Sequence, residues 1–424
     1  MSLSYEKVKS NLLGKAYNHA VTKSGLEIFL YEMPGFKTYY GVFGTRYGSI
    51  DNSFENEKGK TVNLPEGIAH FLEHKLFESE DGDAFTKYAK TGAYSNAYTS
   101  FDRTCYLFSC SNKFYDNLKI LLDFVRSPYF TEQTVQKEQG IIGQEIRMYD
   151  DQPSWQVLFN MLLAMYHNHP VKTDIAGTVE SIAEITAPLL YDCYNKFYNL
   201  SNMFIVLGGD FKCDEVLDFI NKNLKVTKNT SFKPSTINEP KEVVKNYTEC
   251  ALDVSIPLFC LGFKDNIAGV CPDTKKWLAT EILLKMLVGS ASPLYKTLLD
   301  QKLINEDFAA EYFTGRGFAI PMFEGESKNP KKILELILSE IEGYKQSGVP
   351  NNLFEAIKRE FYGNTLKRFD SAESVCAMLS DSAVLGYNIF EQLEAVKSLT
   401  VEDIDAVLPI FTKENAVLSV VNRH

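Results

Sequence analysis

Short runs rich in β-branched and aromatic residues recur along the chain, at Leu26 to Tyr31, Tyr39 to Gly48, Tyr106 to Cys110 and Phe204 to Gly208. Runs of this length predict strands, and longer patterns of helical period, such as Asn117 to Val125, alternate with them. One stretch has a counterpart far along the chain. Val179 to Thr186 shares its apolar spacing with Leu393 to Thr400. Each is followed by a helix-like stretch reaching Phe197 or Phe411, and then by a strand starting near Asn202 or Asn415. Thr186 and Thr400 are 214 residues apart, as are Phe197 and Phe411. Equal spacing across successive elements predicts an internal duplication. The expected fold is α+β, two homologous α/β sandwich domains in tandem, each a mostly antiparallel sheet covered by helices. A polar stretch from Thr227 to Pro240 has the make-up of a surface linker. It predicts domains at 1–228 and 240–424, joined by residues 229–239.

Composition narrows the partners. With 424 residues the chain exceeds what one growing core accommodates, in keeping with two domains. A formal net charge of -11 argues against nucleic acid or an anionic membrane surface, both of which need a basic face. The start, Met1 to Lys9, lacks an apolar core after its positive charges, so no secretory signal is expected there. No segment is expected to stay apolar long enough to span a bilayer. The eight cysteines include no Cys-x-x-Cys pair and sit mostly in apolar runs, which predicts reduced thiols in a cytoplasmic protein.

The chemistry is concentrated in Pro65-Glu-Gly-Ile-Ala-His70-Phe-Leu-Glu73-His74. His-x-x-Glu-His is the inverted form of the zincin motif. On a helix advancing about 100° per residue, positions 70, 73 and 74 share one stripe. Two imidazoles can therefore hold one metal ion, while Glu73 beside them takes a proton from a water on it. Pro65 and Glu66 suit a first helical turn, and Gly67 permits close backbone approach. Only six histidines occur in the chain, so two of them at this spacing around a glutamate carry weight. His167 and His169 stand two apart beside Pro170, a spacing that reads as loop chemistry. A catalytic zinc ordinarily has three protein ligands and an open position, so a further ligand is required. Residues 135, 138, 142 and 145 form one helical stripe, in which Glu138 and Glu145 lie among Val135 and Ile142. Carboxylates on an apolar stripe are rarely buried unless paired or coordinating. Spacing alone leaves open which of the two meets the metal.

Taken together, His70 to His74, the pair Glu138 and Glu145 seven residues apart, and Gly92-Ala-Tyr-Ser-Asn96-Ala97-Tyr98-Thr99 between them resemble the pitrilysin or insulinase family of inverted-motif zinc peptidases. That family includes the mitochondrial processing peptidase, and the resemblance is to its bacterial two-subunit processing-protease branch. The resemblance implies one half of a clamshell, with Glu145 as third zinc ligand and Glu138 orienting a ligand imidazole. It implies that Asn96, Ala97, Tyr98 and Thr99 hold substrate as an added strand. Shifting 70, 73 and 74 by the repeat offset reaches Leu284, Leu287 and Val288, so the second half is expected to keep the helix without the metal, giving one zinc per chain.

Family members place an Arg and a Tyr, seven residues apart, in the second domain to stabilise the tetrahedral intermediate. Here Leu299 and Asn305 occupy those places, allowing a one-residue gap, and Tyr312 and Arg316 follow in reverse order. The resemblance thus implies an endopeptidase subunit acting on unfolded peptides in a chamber of two two-domain chains. Its partner would be a homologous subunit supplying the Arg and Tyr in a heterodimer, with a homodimer as the alternative. A non-catalytic scaffold of the same family is the competing reading, but such subunits tend to lose the metal residues that are all present here.

Overall fold

The computed structural model describes residues 4–55, 60–80, 82–226, 237–267 and 269–424, so most of the expected linker, 229–236, lies outside the described residues. The chain forms two compact units. In the first, a seven-stranded sheet runs in spatial order Tyr5–Ser10, Lys15–Val21, Glu27–Glu32, Met203–Gly209, Tyr39–Thr45, Thr104–Cys110, Tyr94–Thr99. All neighbours are antiparallel except Glu27–Glu32 with Met203–Gly209. In the second, five strands run Tyr247–Leu252, Ala416–Arg423, Leu258–Phe263, Phe318–Glu326, Ala309–Gly315, again with only the first pair parallel. The second sheet repeats the last five strands of the first in chain order, direction and pairing. The repeat seen in the sequence is therefore a repeat of topology.

Every residue of Met203–Gly209 is buried. A strand reads as a continuous apolar run when both faces of its sheet are covered. One face of the first sheet presents Phe29, Tyr31, Val42, Phe204 and Val206 to the helix Ala372–Leu385, which contributes Val375, Cys376 and Leu379. Burying side chains of this size stabilises by about 1.5–3 kcal/mol each. That helix comes from the second half of the sequence, yet it belongs to the first unit's core. Conversely, Pro153–Met165 from the first half packs on the strands of the second sheet. The compact units thus differ from a division at 229–239: residues 147–173 join the second unit and 367–390 the first.

Against the expectation that no segment stays apolar for long enough to span a bilayer, an 18-residue window within Thr274–Asp300 reaches a mean hydropathy of 1.2. This stretch consists of two helices, Thr274–Val288 and Pro293–Asp300, the second capped by Ser292 accepting from the Tyr295 N–H. Leu278, Ile282, Leu283 and Leu287 of the first are fully buried in the second unit's core. A helix buried inside a core passes the same compositional test as a membrane span.

Candidate metal centre

The motif helix spans Ile68–Leu76. It starts later than Pro65 and Glu66 suggest, because Gly67 adopts φ +84° and acts as N-cap. Gly67 packs backbone to backbone against Gly177: a Cβ on the former would lie 2.2 Å from Ala176 O, and one on the latter 2.5 Å from Glu66 O. Ser181 Oγ donates to Glu66 O at 2.9 Å. These contacts fix the start of the helix one turn before His70.

Glu138 and Glu145 project from the helix Glu132–Asp150, whose Val135 and Ile142 anchor the same stripe in the core. The stripe thereby aims both carboxylates at the motif helix. Glu145 Oε1 lies 3.7 Å from His70 Nε2, and Glu145 Oε2 lies 3.5 Å from His74 Nε2. His74 Nδ1 is 3.0 Å from Glu138 Oε1. Metal-binding atoms of His70, His74 and Glu145 lie within 4.8 Å of one another, and no other such group occurs among the described residues. Two imidazole nitrogens and a carboxylate oxygen form the donor set that zinc favours, and a second carboxylate on the far nitrogen of a ligand histidine sets its tautomer. The donor set therefore fits a zinc ion.

Burial, followed by the neighbouring His74, lowers the His70 pKa to about 4, so this imidazole is neutral, as a ligand must be. Its Nδ1 is buried without a hydrogen-bond partner. For His74, burial works downward, but the Glu138 hydrogen bond and the Glu73 and Glu145 carboxylates outweigh it and raise its pKa. Burial also opposes ionisation of Glu138, yet its hydrogen bond and charge interaction with His74 hold its pKa below the usual value. Glu73 is 9% exposed, and burial lifts its carboxyl pKa.

Asn96, Ala97, Tyr98 and Thr99 lie on the outermost strand, Tyr94–Thr99, which has one sheet neighbour. Its side chains alternate between exposed and half-buried, and Asn96 Oδ1 accepts from the Ala97 N–H at 2.9 Å. One contact was not legible in the spacing of residues: Thr99 Oγ1 lies 3.0 Å from Glu73 Oε2. Lys75 was likewise missed. It is fully buried next to His74 and pairs with Glu78, where the one available signal was a charged residue on an otherwise apolar face.

Other candidates fall elsewhere. His169 is buried and accepts from the Val171 N–H at 3.1 Å, a helix-capping role, with its pKa lowered to about 4 by burial. In the second unit, Leu284, Leu287 and Val288 are all buried on Thr274–Val288, which stands at the same place in the element order as the motif helix. Leu299 packs against the second core, Asn305 donates to Glu326, and Tyr312 is buried with its hydroxyl bonded to Asp265.

One α/β sheet repeated in a second, with an inverted motif beside the first whose two histidines and a distal glutamate could hold a metal ion, is an arrangement that comparison with known proteins can place in a class. The chain matches the family Insulinase (Peptidase family M16) over residues 61–179 and the Peptidase M16 inactive domain over 184–361. Uncharacterized zinc protease YmfH of Bacillus subtilis (strain 168) is 37% identical over 414 residues, covering 96% of this chain and 95% of that protein. The crystal structure of an M16-like peptidase from Alicyclobacillus acidocaldarius covers 100% of both chains with a TM-score of 0.91 and 31% identity. Pitrilysin shares the fold over 99% of this chain and 46% of its own, with a TM-score of 0.77 and 17% identity. The chain belongs to peptidase family M16, a family of zinc proteases.

Proposed function

We propose that the chain is the catalytic zinc subunit of an endopeptidase acting on unfolded peptides. The observation that carries this reading is the convergence of His70, His74 and Glu145, with Glu73 beside them and a sheet edge next to Glu73. His70 and His74 would hold one zinc ion with Glu145, and Glu138 would orient His74 through its Nδ1. Bound there, zinc lowers the pKa of a water to about 7 and polarises the scissile carbonyl. Glu73 takes a proton from the attacking water and delivers it to the leaving amine. The outer edge of Tyr94–Thr99 accepts the peptide as an added strand, so main-chain hydrogen bonds accommodate varied sequences. The eight cysteines are all free, which suits the reducing cytoplasm.

The charge-stabilising pair is the missing component. Leu299 and Asn305 are engaged within the second unit and Tyr312 is buried, so none of them is set to meet a developing oxyanion. A homologous partner chain bearing the Arg and Tyr would supply it. Removing one such donor typically costs on the order of 100- to 1000-fold in rate. Mixing the two chains should therefore raise cleavage of a peptide pool far above the sum of the separate rates; full activity from this chain alone would refute the division of labour. The base assignment is tested by Glu73→Gln. It should abolish cleavage in the mixture while the protein still purifies with about one zinc per chain, since the base acts without being a ligand. Loss of zinc in this variant would mean that Glu73 is a ligand.

A further inference from the structure

We propose that Thr99 is a positioning residue for Glu73, holding one carboxylate oxygen so that the other keeps a fixed direction. The inference rests on the reading of Glu73 as the base. Thr99 closes the outermost strand and pairs with Thr104 across the hairpin. Its Oγ1 lies 3.0 Å from Glu73 Oε2 and 3.5 Å from Thr104 Oγ1.

The direction of these hydrogen bonds follows from counting protons. A threonine hydroxyl has one hydrogen to donate. Thr104 gives its own to Tyr47 O at 2.9 Å, a carbonyl that can only accept. Thr99 then has two possible acceptors, the Thr104 hydroxyl at 3.5 Å and a carboxylate at 3.0 Å. A charged acceptor at the shorter distance makes the stronger bond, so the Thr99 hydrogen goes to Glu73.

The backbone leaves the Thr99 amide free of the hairpin ladder. Ser100 N–H bonds inward across the hairpin to Arg103 O at 2.8 Å. N–H groups alternate in direction along an antiparallel strand, so that of Thr99 faces outward. Its influence on Glu73 favours the ionised carboxylate, as that of the hydroxyl does. Glu73 is thereby held through one carboxylate oxygen by the Thr99 hydroxyl. A glutamate side chain with several torsions loses rotamer freedom in such a grip, and a base held in place reacts from a larger share of its conformations. The grip comes from the strand that offers its outer edge to substrate, so peptide docking and base alignment share one element.

Thr99→Val keeps the size and the amide but removes the hydroxyl, whereas Thr99→Ser restores it. With a pool of quenched fluorogenic peptides and the partner chain present, Thr99→Val should lower kcat on the order of 10- to 100-fold while KM stays within about threefold. Thr99→Ser should return kcat to within about threefold of the parent, and both variants should retain zinc. A crystal structure of zinc-loaded Thr99→Val should show the Glu73 carboxylate turned from its parental direction, a readout independent of turnover. Parental kcat in the Val variant, an unmoved carboxylate, or equal impairment of the Ser and Val variants would overturn the proposal. Glu73→Gln separates the two levels. If that variant still cleaves, the reading of Glu73 as base fails; if it is inactive while Thr99→Val is unaffected, only the positioning role fails.

Discussion

The two units carry the same five strands in the same order, and each places a helix between its second and third strands, not counting the added strands of the first unit. In the second unit that helix buries Leu284, Leu287 and Val288. The first buries His70 and Glu73 and half-buries His74, each within reach of another polar side chain. Polar groups withdrawn from water cost free energy unless they are hydrogen-bonded, and an apolar replacement of similar size is often neutral or stabilising. The second helix shows that the fold does not need the polar set. What the comparison teaches is that the strand order is maintained by the apolar residues around this position, which leaves His70, Glu73 and His74 available for the chemistry proposed above.

The strongest way to break this comparison is to make the first helix resemble the second. His70→Leu combined with His74→Leu should reduce zinc from about one per chain to none and abolish peptide cleavage, since two of the three proposed ligands are gone. Far-ultraviolet circular dichroism should remain that of the parent. Unfolding of the double variant would mean that the imidazoles hold the first unit together and that the analogy with Leu284 and Val288 is false.

A smaller effect sharpens the roles of the two glutamates. Glu145 approaches both histidines through their Nε2 atoms, whereas Glu138 reaches only the far nitrogen of His74. Glu138→Gln should weaken zinc binding by roughly 10- to 100-fold, as expected of an outer partner, and Glu145→Gln should weaken it more. Competition with a chelator measures both, and the reverse ranking would exchange the assignments.

Much of this was legible because the signals were local. The strand runs at 26–31, 39–48, 106–110 and 204–208 each fall on an observed strand, and the stripe through Val135, Glu138, Ile142 and Glu145 is one face of one helix. Spacing within an element is a property of the backbone, so it survives in the sequence. The destination of Pro153–Met165 and Ala372–Leu385 was not legible. An apolar helix face records that something covers it, without recording which sheet does so, and here each helix joins the unit other than its own half of the chain. The Thr99 contact with Glu73 was hidden for the same reason, since it joins residues 26 positions apart on different elements.

The smallest effect concerns what the second unit does with buried charge. Lys264, only 1% exposed in its side chain, donates to Glu239 at 2.7 Å and to the carbonyls of Met165, Pro240 and Glu242. Glu239 also accepts from the backbone N–H groups of His167, Asn168 and His169 at 2.9, 2.7 and 2.8 Å. This cluster fastens the end of the 229–239 segment to the stretch following Pro153–Met165, a structural role beside the catalytic one proposed for the first unit. Burial works against the ionised form of Glu239, but Lys264 and the three N–H groups prevail and bring its pKa to about 2. An unfolded glutamate titrates near about 4.3. A depressed pKa stabilises the fold above the unfolded value and loses that contribution as pH falls toward the folded one. At pH 7, Glu239→Gln should therefore melt roughly 2–4 °C below the parent. Between about pH 4 and pH 2 the parent loses this advantage, so the gap should be about half as large at pH 3. Thermal melts of both proteins at several pH values would check this. A gap unchanged at pH 3 would show that the Glu239 side chain contributes through packing and not through its charge.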